Sequence, residues 1–177
     1  MRRGTVTESA SRQREVEQVL RSVAPDLLGY FLRRTPSPED AADMVSETLA
    51  ATWLSTSKVP QEPEQARMWV FGVARNVLRH HHRSGSRRSA LAEQLAAAVR
   101  QAQTTTVHGV DEDALDVQLA VAALPTQLAE LIRLVHWDGF SIEQAARLQQ
   151  IPASTARSRH ARAKQLLKER LEAPVKR

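Results

Sequence analysis

The chain has 177 residues, a formal net charge of +5 at pH 7, 42% hydrophobic residues and no cysteine. This length allows one domain or two small ones and excludes a large multidomain enzyme. Without cysteine the chain forms no disulfide and no Cys-ligated zinc site, so it suits a reducing compartment, and we predict a cytoplasmic protein. The longest apolar run, 119–124, is far too short to span a bilayer, so no membrane span is predicted.

Charge alternates in sign along the chain. Residues 36–66 and 102–146 are acidic, whereas residues 67–92 and 147–177 are basic. Two basic blocks, each following an acidic one, suit a protein that touches a polyanion at two places and presents other surfaces to another partner. A single basic block is as often a solvated face, so the motifs within the blocks have to decide.

Helical periodicity predicts an all-α protein with two small helical domains joined by a linker. The predicted order is a disordered tail over 1–14, a helical domain over 15–88, a linker over 89–112, a helical domain over 113–172 and a tail over 173–177. In the first domain, apolar residues from Val16 to Phe31 share one helical face. Pro25 is expected to kink or restart that helix.

A second helix is predicted to begin at Ser37, which has the pattern of an N-cap. Pro38 follows at the first helical position, and Asp40 lies three residues beyond the cap. Asp40, Asp43 and Glu47 recur at helical spacing on a stripe separate from the apolar residues. One face of this helix is therefore expected to pack and another to be acidic.

The third helix combines an apolar side with a basic and polar side. The polar side holds Arg75, Asn76, Arg79, His80 and Arg83. Basic groups, an amide and nearby aromatic rings suit a nucleic-acid strand and an unstacked base. The alternative is an ordinary amphipathic helix, and Trp69 is predicted to be a core residue of it.

No catalytic, metal or cofactor site is predicted. The consecutive side chains of His80, His81 and His82 diverge by about 100° around a helix, so they do not converge on one ion. The sequence contains no Gly-rich phosphate loop, no H-E-x-x-H spacing and no paired nucleophile and base. We therefore predict that the chain is not an enzyme and binds no cofactor.

The second domain carries the strongest local signal. Ser141 and Gln144 have capping-box spacing before a short helix, residues 151–152 interrupt it, and Ser154 is predicted to cap a longer basic helix. This arrangement is a helix-turn-helix. The expected core face is Ala156, His160, Ala163, Leu167 and Leu171, and the expected outer face is Arg157, Ser158, Ala161, Arg162, Lys164 and Lys168.

The outer face has the chemistry of major-groove recognition. Arginine pairs with guanine O6 and N7, and the small Ala161 permits contact with a thymine methyl group. Ser154 and Thr155 at the start of the helix suit a phosphate. The alternative is a plain basic surface helix within a bundle.

Together these features resemble the extracytoplasmic-function (ECF) sigma factors, small members of the sigma-70 family of bacterial RNA polymerase initiation factors. Residues 15–88 resemble region 2 through Ala24-Pro-Asp-Leu-Leu, Glu39-Asp-Ala-Ala-Asp-Met-Val-Ser-Glu-Thr and Trp69-Val-Phe-Gly-Val-Ala-Arg-Asn. Residues 113–172 resemble region 4 through Leu124-Pro and the helix-turn-helix. Six positions depart from the family pattern, namely Gly72, His80, Gln150, Ser154, Ala156 and His160. Among them, Gln150 replaces a turn glycine, and His160 replaces a large aliphatic residue.

The resemblance implies a role for each surface. Asp40, Asp43 and Glu47 would dock on the clamp-helix coiled coil of the largest subunit of core RNA polymerase. The −10 element would be melted and held by Lys58, Arg75, Asn76, Arg79, His80 and Arg83. The −35 element would be read by Arg157, Ser158, Ala161 and Arg162, with Ser154, Thr155, Arg159 and Lys164 near phosphates.

The implied partners are promoter DNA and core RNA polymerase, whose second-largest subunit region 4 would also contact. An anti-sigma factor is a common further partner of such proteins, although no residue here identifies one. The main competing interpretation is a stand-alone helix-turn-helix repressor or activator, and a more remote one is a helical adaptor that binds only proteins.

Overall fold

A computed structural model describes residues 3–100 and 112–172, with side chains described over 10–83 and 116–172. All described secondary structure is helical, which confirms the all-α fold class. The chain divides into two compact units, residues 1–93 and 94–177. The predicted tail over 173–177 and residues 101–111 of the predicted linker lie outside the described residues.

The first unit is built from three helices. These are α1 (Arg3–Leu32), α2 (Pro38–Leu54) and α3 (Pro63–Arg100), with a 3₁₀ turn at Thr56–Lys58 between the last two. α1 and α2 pack against each other. Arg67 on α3 forms an ion pair with Asp26 on α1, at 3.3 Å.

Helix α1 corrects two sequence predictions. It begins at Arg3, so the described part of residues 1–14 is helical and not a disordered tail. Arg12, within that stretch, donates hydrogen bonds to the carbonyls of Val59 and Pro60, which gives this part of the helix a partner 47 residues away. Pro25 lies inside the helix and does not restart it.

Helix α3 is longer than predicted. The sequence predicts a linker over 89–112 that includes an alanine-rich stretch, 90–102, compatible with a helix, and the structure continues α3 without a break to Arg100. The alanine-rich composition after residue 89 explains this difference, because alanine has the highest helix propensity.

The core of the first unit is centred on three aromatic rings. Tyr30 packs edge to face against Phe31 and Phe71, with ring centroids 5.2 and 5.5 Å apart. Such pairs contribute about 0.5–1.5 kcal/mol beyond the area they bury. Since Phe71 belongs to α3 and the other two rings to α1, this cluster fixes which side of α3 faces inward.

Helix α2 begins as predicted and buries Ala41, Met44, Thr48 and Thr52. The Ser37 side chain accepts a hydrogen bond from the Asp40 backbone at 3.0 Å. Thr48 and Thr52 are fully buried, and their hydroxyls donate to the carbonyls one turn earlier, at 2.7 and 2.8 Å. Because these hydroxyls are satisfied within the helix, α2 packs closely without an unpaired polar group.

The second unit contains four shorter helices. These are α4 (Glu112–Ala122), α5 (Thr126–Ile132), α6 (Ile142–Gln149) and α7 (Ala153–Leu171). A π-helical turn, Arg133–Trp137, continues α5, and the chain then reverses at Gly139 with φ +72°. Glycine adopts a positive φ more readily than any other residue, so Gly139 can end the helical segment here, as the Asp-Gly pair predicts.

Helix α7 is the centre of the second unit, because α4, α5 and α6 all pack against it. Its contact residues are small: Ala156 and Ala163 are fully buried. Larger side chains complete the core around Ala163, namely Val121, Leu124, Ile132, Leu166 and Leu167. Leu171, predicted to face this core, is 49% exposed because it lies at the last residue of α7, beyond the packed helices.

No helix in the described ranges has the length and apolar composition needed to cross a bilayer.

Candidate nucleic-acid interface

Helix α3 presents its predicted polar residues along one stripe, which we call the α3 basic surface: Arg75, Asn76, Arg79, His80 and Arg83. Arg75 is half-buried and the other four are exposed. The stripe extends from Arg75 to Arg83, about 12 Å along the helix. The opposite side of the helix is buried in the core through Val70, Phe71 and Ala74. Packing therefore determines which side of α3 reaches solvent.

Trp69 lies on α3 two turns before Asn76 and on the same side of the helix. It is half-buried and packs against a small cluster of Val16, Val59 and Ala66. This contact matches the prediction that Trp69 is a core residue.

The loop between α2 and α3 carries Lys58 on a different element from the arginines. Lys58 is exposed at the end of the 3₁₀ turn, and the next residue, Val59, is buried. The hydrogen bonds from Arg12 hold the carbonyls that follow Lys58. Sequence reasoning missed this role of Arg12, because no local pattern connects residues so far apart in the chain.

The acidic residues of α2 differ in their surroundings. Asp43 and Glu47 are exposed and form no ion pair within the described part of the chain. Asp40 is half-buried at the helix start, and its Oδ1 lies 3.6 Å from Nε2 of His81 on α3. Asp43 and Glu47 thus form the accessible acidic surface, whereas Asp40 also contacts α3.

Helix α7 presents the predicted DNA-reading residues to solvent. Ser154, Arg157, Ser158, Ala161, Arg162 and Lys164 are exposed, and Thr155 and Arg159 are half-buried. The buried Ala156 and Ala163 face the other three helices. Because helix side chains are about 100° apart per residue, burying one side projects the other outward as a single face.

The start of α7 differs from the prediction. Pro152 occupies the N-cap position and makes no side-chain cap, so Ser154 lies in the first turn and is not the cap. Pro152 accepts the first helical hydrogen bond, from the Ala156 backbone at 3.0 Å, and this places the helix start two residues before the expected one. Ser154 remains exposed beside the first-turn amides, where an anion is favoured.

The turn between α6 and α7 contains one residue, Gln150, in the left-handed helical conformation. The capping box of Ser141 and Gln144 has both of its hydrogen bonds, as predicted, and α6 ends with Gln150 at φ 58°, ψ 43°. A residue with a Cβ is strained in this conformation, which glycine adopts at little cost.

We expect Gln150→Gly to stabilise the second unit by about 0.5–1 kcal/mol, since the relief of strain exceeds the added entropy of the unfolded chain. Urea unfolding followed by circular dichroism measures this. Gln165→Gly, on the exposed side of α7, serves as the matched control and should destabilise by about 1 kcal/mol. A lower free energy of unfolding in Gln150→Gly than in wild type would contradict the assignment of backbone strain to Gln150.

Arg157 has a partner that sequence reasoning missed. Its Nη1 donates to Oε1 of Glu143 on α6, at 3.0 Å. Arg162 instead donates to Gln165 on its own helix, at 3.3 Å. Glu143 and Arg157 are 14 residues apart in sequence and meet because the helix-turn-helix brings α6 against α7. The predicted helix-turn-helix was therefore the sequence signal from which this contact could have been found.

His136 and His160 form a contact between the π-helical turn and α7. Their Nε2 atoms are 3.0 Å apart, their ring centroids 5.2 Å apart and their planes 16° apart. Because the nitrogens are much closer than the centroids, they point at each other. One Nε2 must therefore donate a hydrogen and the other present its lone pair. Burial above all, then His136 and Lys164, lowers the pKa of His160 below its usual 6.5.

We expect the free energy of unfolding of the second unit to fall as the pH is lowered below about 6.5. The unfolded state then binds more protons than the folded state, whose His160 has the lower pKa, so stability rises with pH across this window. Comparing urea unfolding of wild type and His160→Leu from pH 5 to 8 isolates this pair from the other histidines. Equal pH dependence in the two proteins would contradict the assignment.

Two family models match the chain. Sigma-70 region 2 matches residues 19–88, and sigma-70 region 4 matches residues 114–167. The two matches fall in different compact units and together make up more than half of the chain. The chain belongs to the sigma-70 family of transcription initiation factors and, within it, to the ECF sigma factors.

Relatives and solved structures agree with this assignment. ECF RNA polymerase sigma factor SigL of Mycobacterium tuberculosis is 28% identical over 130 residues, which cover 73% of each chain. Sigma factor RpoE, solved with the anti-sigma factor NepR from Bartonella quintana, matches with a TM-score of 0.66 at 23% identity, over 89% of this chain and 97% of that one. CnrH, solved with the cytosolic domain of CnrY, gives 0.64 at 23% identity, over 92% and 90%.

Proposed function

We propose that this sigma factor binds core RNA polymerase and directs it to promoters by contacting the −10 element with its first unit and the −35 element with its second. The observation that carries the proposal is the pair of exposed basic helix faces, one on α3 and one on α7, each in a unit matched by a different sigma-70 region model. Neither face is needed to build the core of its unit, which leaves both available for a polyanion.

Docking on the polymerase uses Asp43 and Glu47 on α2, with Asp40 at the edge of the contact. Asp43 and Glu47 are exposed and form no ion pair within the described residues, which supports this role, because an unpaired acidic surface is complementary to a basic partner surface. The proposed partner is the clamp-helix coiled coil of the largest subunit. The second unit would contact the flap of the second-largest subunit.

Contact with the −10 element uses the α3 basic surface together with Lys58. The arginine and histidine side chains of this surface extend along about 12 Å of helix. Successive phosphates of a single DNA strand are closer together than that, so the surface can contact more than one of them. Asn76 supplies both a donor and an acceptor for the edge of an unstacked base. The anchored loop around Lys58 would hold the displaced base in place.

Contact with the −35 element uses the exposed side of α7 in the major groove. Arg157 and Arg162 are the proposed base readers, with Ser158 and Ala161 close to the base edges. Ser154, Thr155, Arg159 and Lys164 are the proposed phosphate contacts, because residues around the first turns of a recognition helix fix its register on DNA.

We place the protein with the polymerase in the cytoplasm and propose an anti-sigma factor as a regulatory partner.

Run-off transcription tests the proposal. Purified full-length protein is added to sigma-free core polymerase with a pool of genomic promoter fragments, and transcripts are mapped. Transcripts that begin at specific promoters and depend on the added chain are expected. Tight binding to duplex operators without polymerase, and no transcription, would instead indicate a stand-alone repressor or activator.

A further inference from the structure

Glu143 is a carboxylate placed beside the proposed DNA-reading face. It lies in the first turn of α6 and accepts a hydrogen bond from Arg157 on α7, at 3.0 Å. Both side chains remain largely solvent-exposed, 53% for Glu143 and 58% for Arg157. The contact thus joins the two helices of the helix-turn-helix on their outer side and not in the core.

The position of Glu143 is itself well fixed. The capping box of Ser141 and Gln144 holds the turn that contains it, and the next residues along the helix, Ala145 and Ala146, are buried. The backbone that carries Glu143 is therefore restrained, and its carboxylate is joined to that backbone by fewer rotatable bonds than the guanidinium of Arg157. The arginine is therefore the group that the contact orients.

A guanidinium has five N–H donors arranged in a rigid fork. Glu143 accepts from one Nη atom, which leaves donors on the remaining edge for guanine O6 and N7. Holding an arginine in one orientation before binding reduces the side-chain entropy lost on binding, which is substantial for so flexible a residue. The same carboxylate repels DNA phosphates, so it lowers affinity for any sequence that does not engage Arg157.

We infer that Glu143 is a positioning residue for base recognition by Arg157 and so determines specificity at the base that Arg157 reads. The inference rests on the proposed function of α7. It assigns to α6 a part in sequence discrimination, in addition to its part in the fold. Glu143 acts through Arg157 and needs no base contact of its own.

Two opposite effects are expected from Glu143→Gln. Discrimination at the base read by Arg157 should fall about two- to fivefold, the range that corresponds to an exposed ion pair. Affinity for duplex DNA of unrelated sequence should rise about twofold, because a negative charge near the phosphates is removed. A residue that merely supported the fold would lower both quantities together.

The experiment uses holoenzyme formed from the full chain and core polymerase. The probe is a promoter that wild type transcribes, with its upstream element randomised, and selected sequences give discrimination position by position. Arg157→Ala first identifies the position that Arg157 reads. Glu143→Gln and the double variant are then compared there, with thermal unfolding as the check on folding. Glu172→Gln is the matched control. Glu172 also pairs with a cation on α7, Lys168, and its substitution removes the same charge far from the reading face.

The inference is supported if Glu143→Gln loses discrimination at the Arg157 position, if Glu172→Gln loses none, and if the variant carrying both Glu143→Gln and Arg157→Ala loses no more than Arg157→Ala alone. Unchanged discrimination at that position, or an equal loss at every position, would overturn it. If wild-type holoenzyme selects no upstream sequence at all, the proposed function fails, and the inference fails with it.

Discussion

Reversing two exposed charges of α2, Asp43→Arg with Glu47→Arg, is expected to lower affinity for core RNA polymerase by a factor on the order of a hundred. Juxtaposed like charges in an interface cost several kcal/mol, and both residues lie on the proposed docking surface. The fold should be retained, because both side chains are exposed and form no ion pair within the described part of the chain. Equilibrium binding of the labelled chain to core polymerase gives the affinity, and circular dichroism checks the fold.

A matched variant separates docking from net charge. Glu17→Arg with Glu169→Arg makes the same change of charge at exposed positions on two other helices, α1 and α7. It should bind core polymerase about as well as wild type at physiological salt, where long-range charge effects are screened. Docking on α2 would be ruled out by wild-type affinity in the first variant, or by an equal loss in both.

Replacing either proposed base reader, by Arg157→Ala or Arg162→Ala, is expected to cost about 1–3 kcal/mol of discrimination at one base pair of the −35 element. Each arginine is exposed on α7, so its removal should not disturb the core around Ala163. The two variants should relax specificity at different positions, since the residues lie more than one helical turn apart. Selection of randomised upstream elements by holoenzyme measures both effects.

Arg170→Ala provides the comparison for these arginines. It removes the same charge from the exposed last turn of α7, beyond the proposed reading face. We expect it to weaken binding slightly and equally for all sequences, as loss of a distant positive charge should. Wild-type base preferences in both reader variants would remove Arg157 and Arg162 from the site.

Local interactions explain why much of the fold was predictable. The caps at Ser37 and Ser141 depend on hydrogen bonds between residues three apart, so their sequence patterns carry nearly all of the required information. The exposed sides of α3 and α7 follow from helical periodicity in the same way. The resemblance to sigma factors added the order and spacing of these elements along the chain.

Errors arose where a distant or competing contact decided the outcome. Residues 3–14 are helical and linked by Arg12 to the loop after α2, although nothing near them in sequence indicates a partner. Ser154 was predicted as a cap, but Pro152 begins the helix earlier. Leu171 has the right helical phase to face the core, yet no helix extends far enough to cover it.

The sequence by itself determined that the protein is all-α, that its two basic helices have an apolar side opposite a charged side, and that it belongs with the sigma factors. Only the tertiary structure decided that Asp40 lies near His81, that the Nε2 atoms of His136 and His160 are 3.0 Å apart, and that Glu143 accepts a hydrogen bond from Arg157. The physical reason is the separation in sequence over which each kind of interaction acts. Helix periodicity and capping act over three or four residues, whereas these side-chain pairs form only after packing has brought separate helices together.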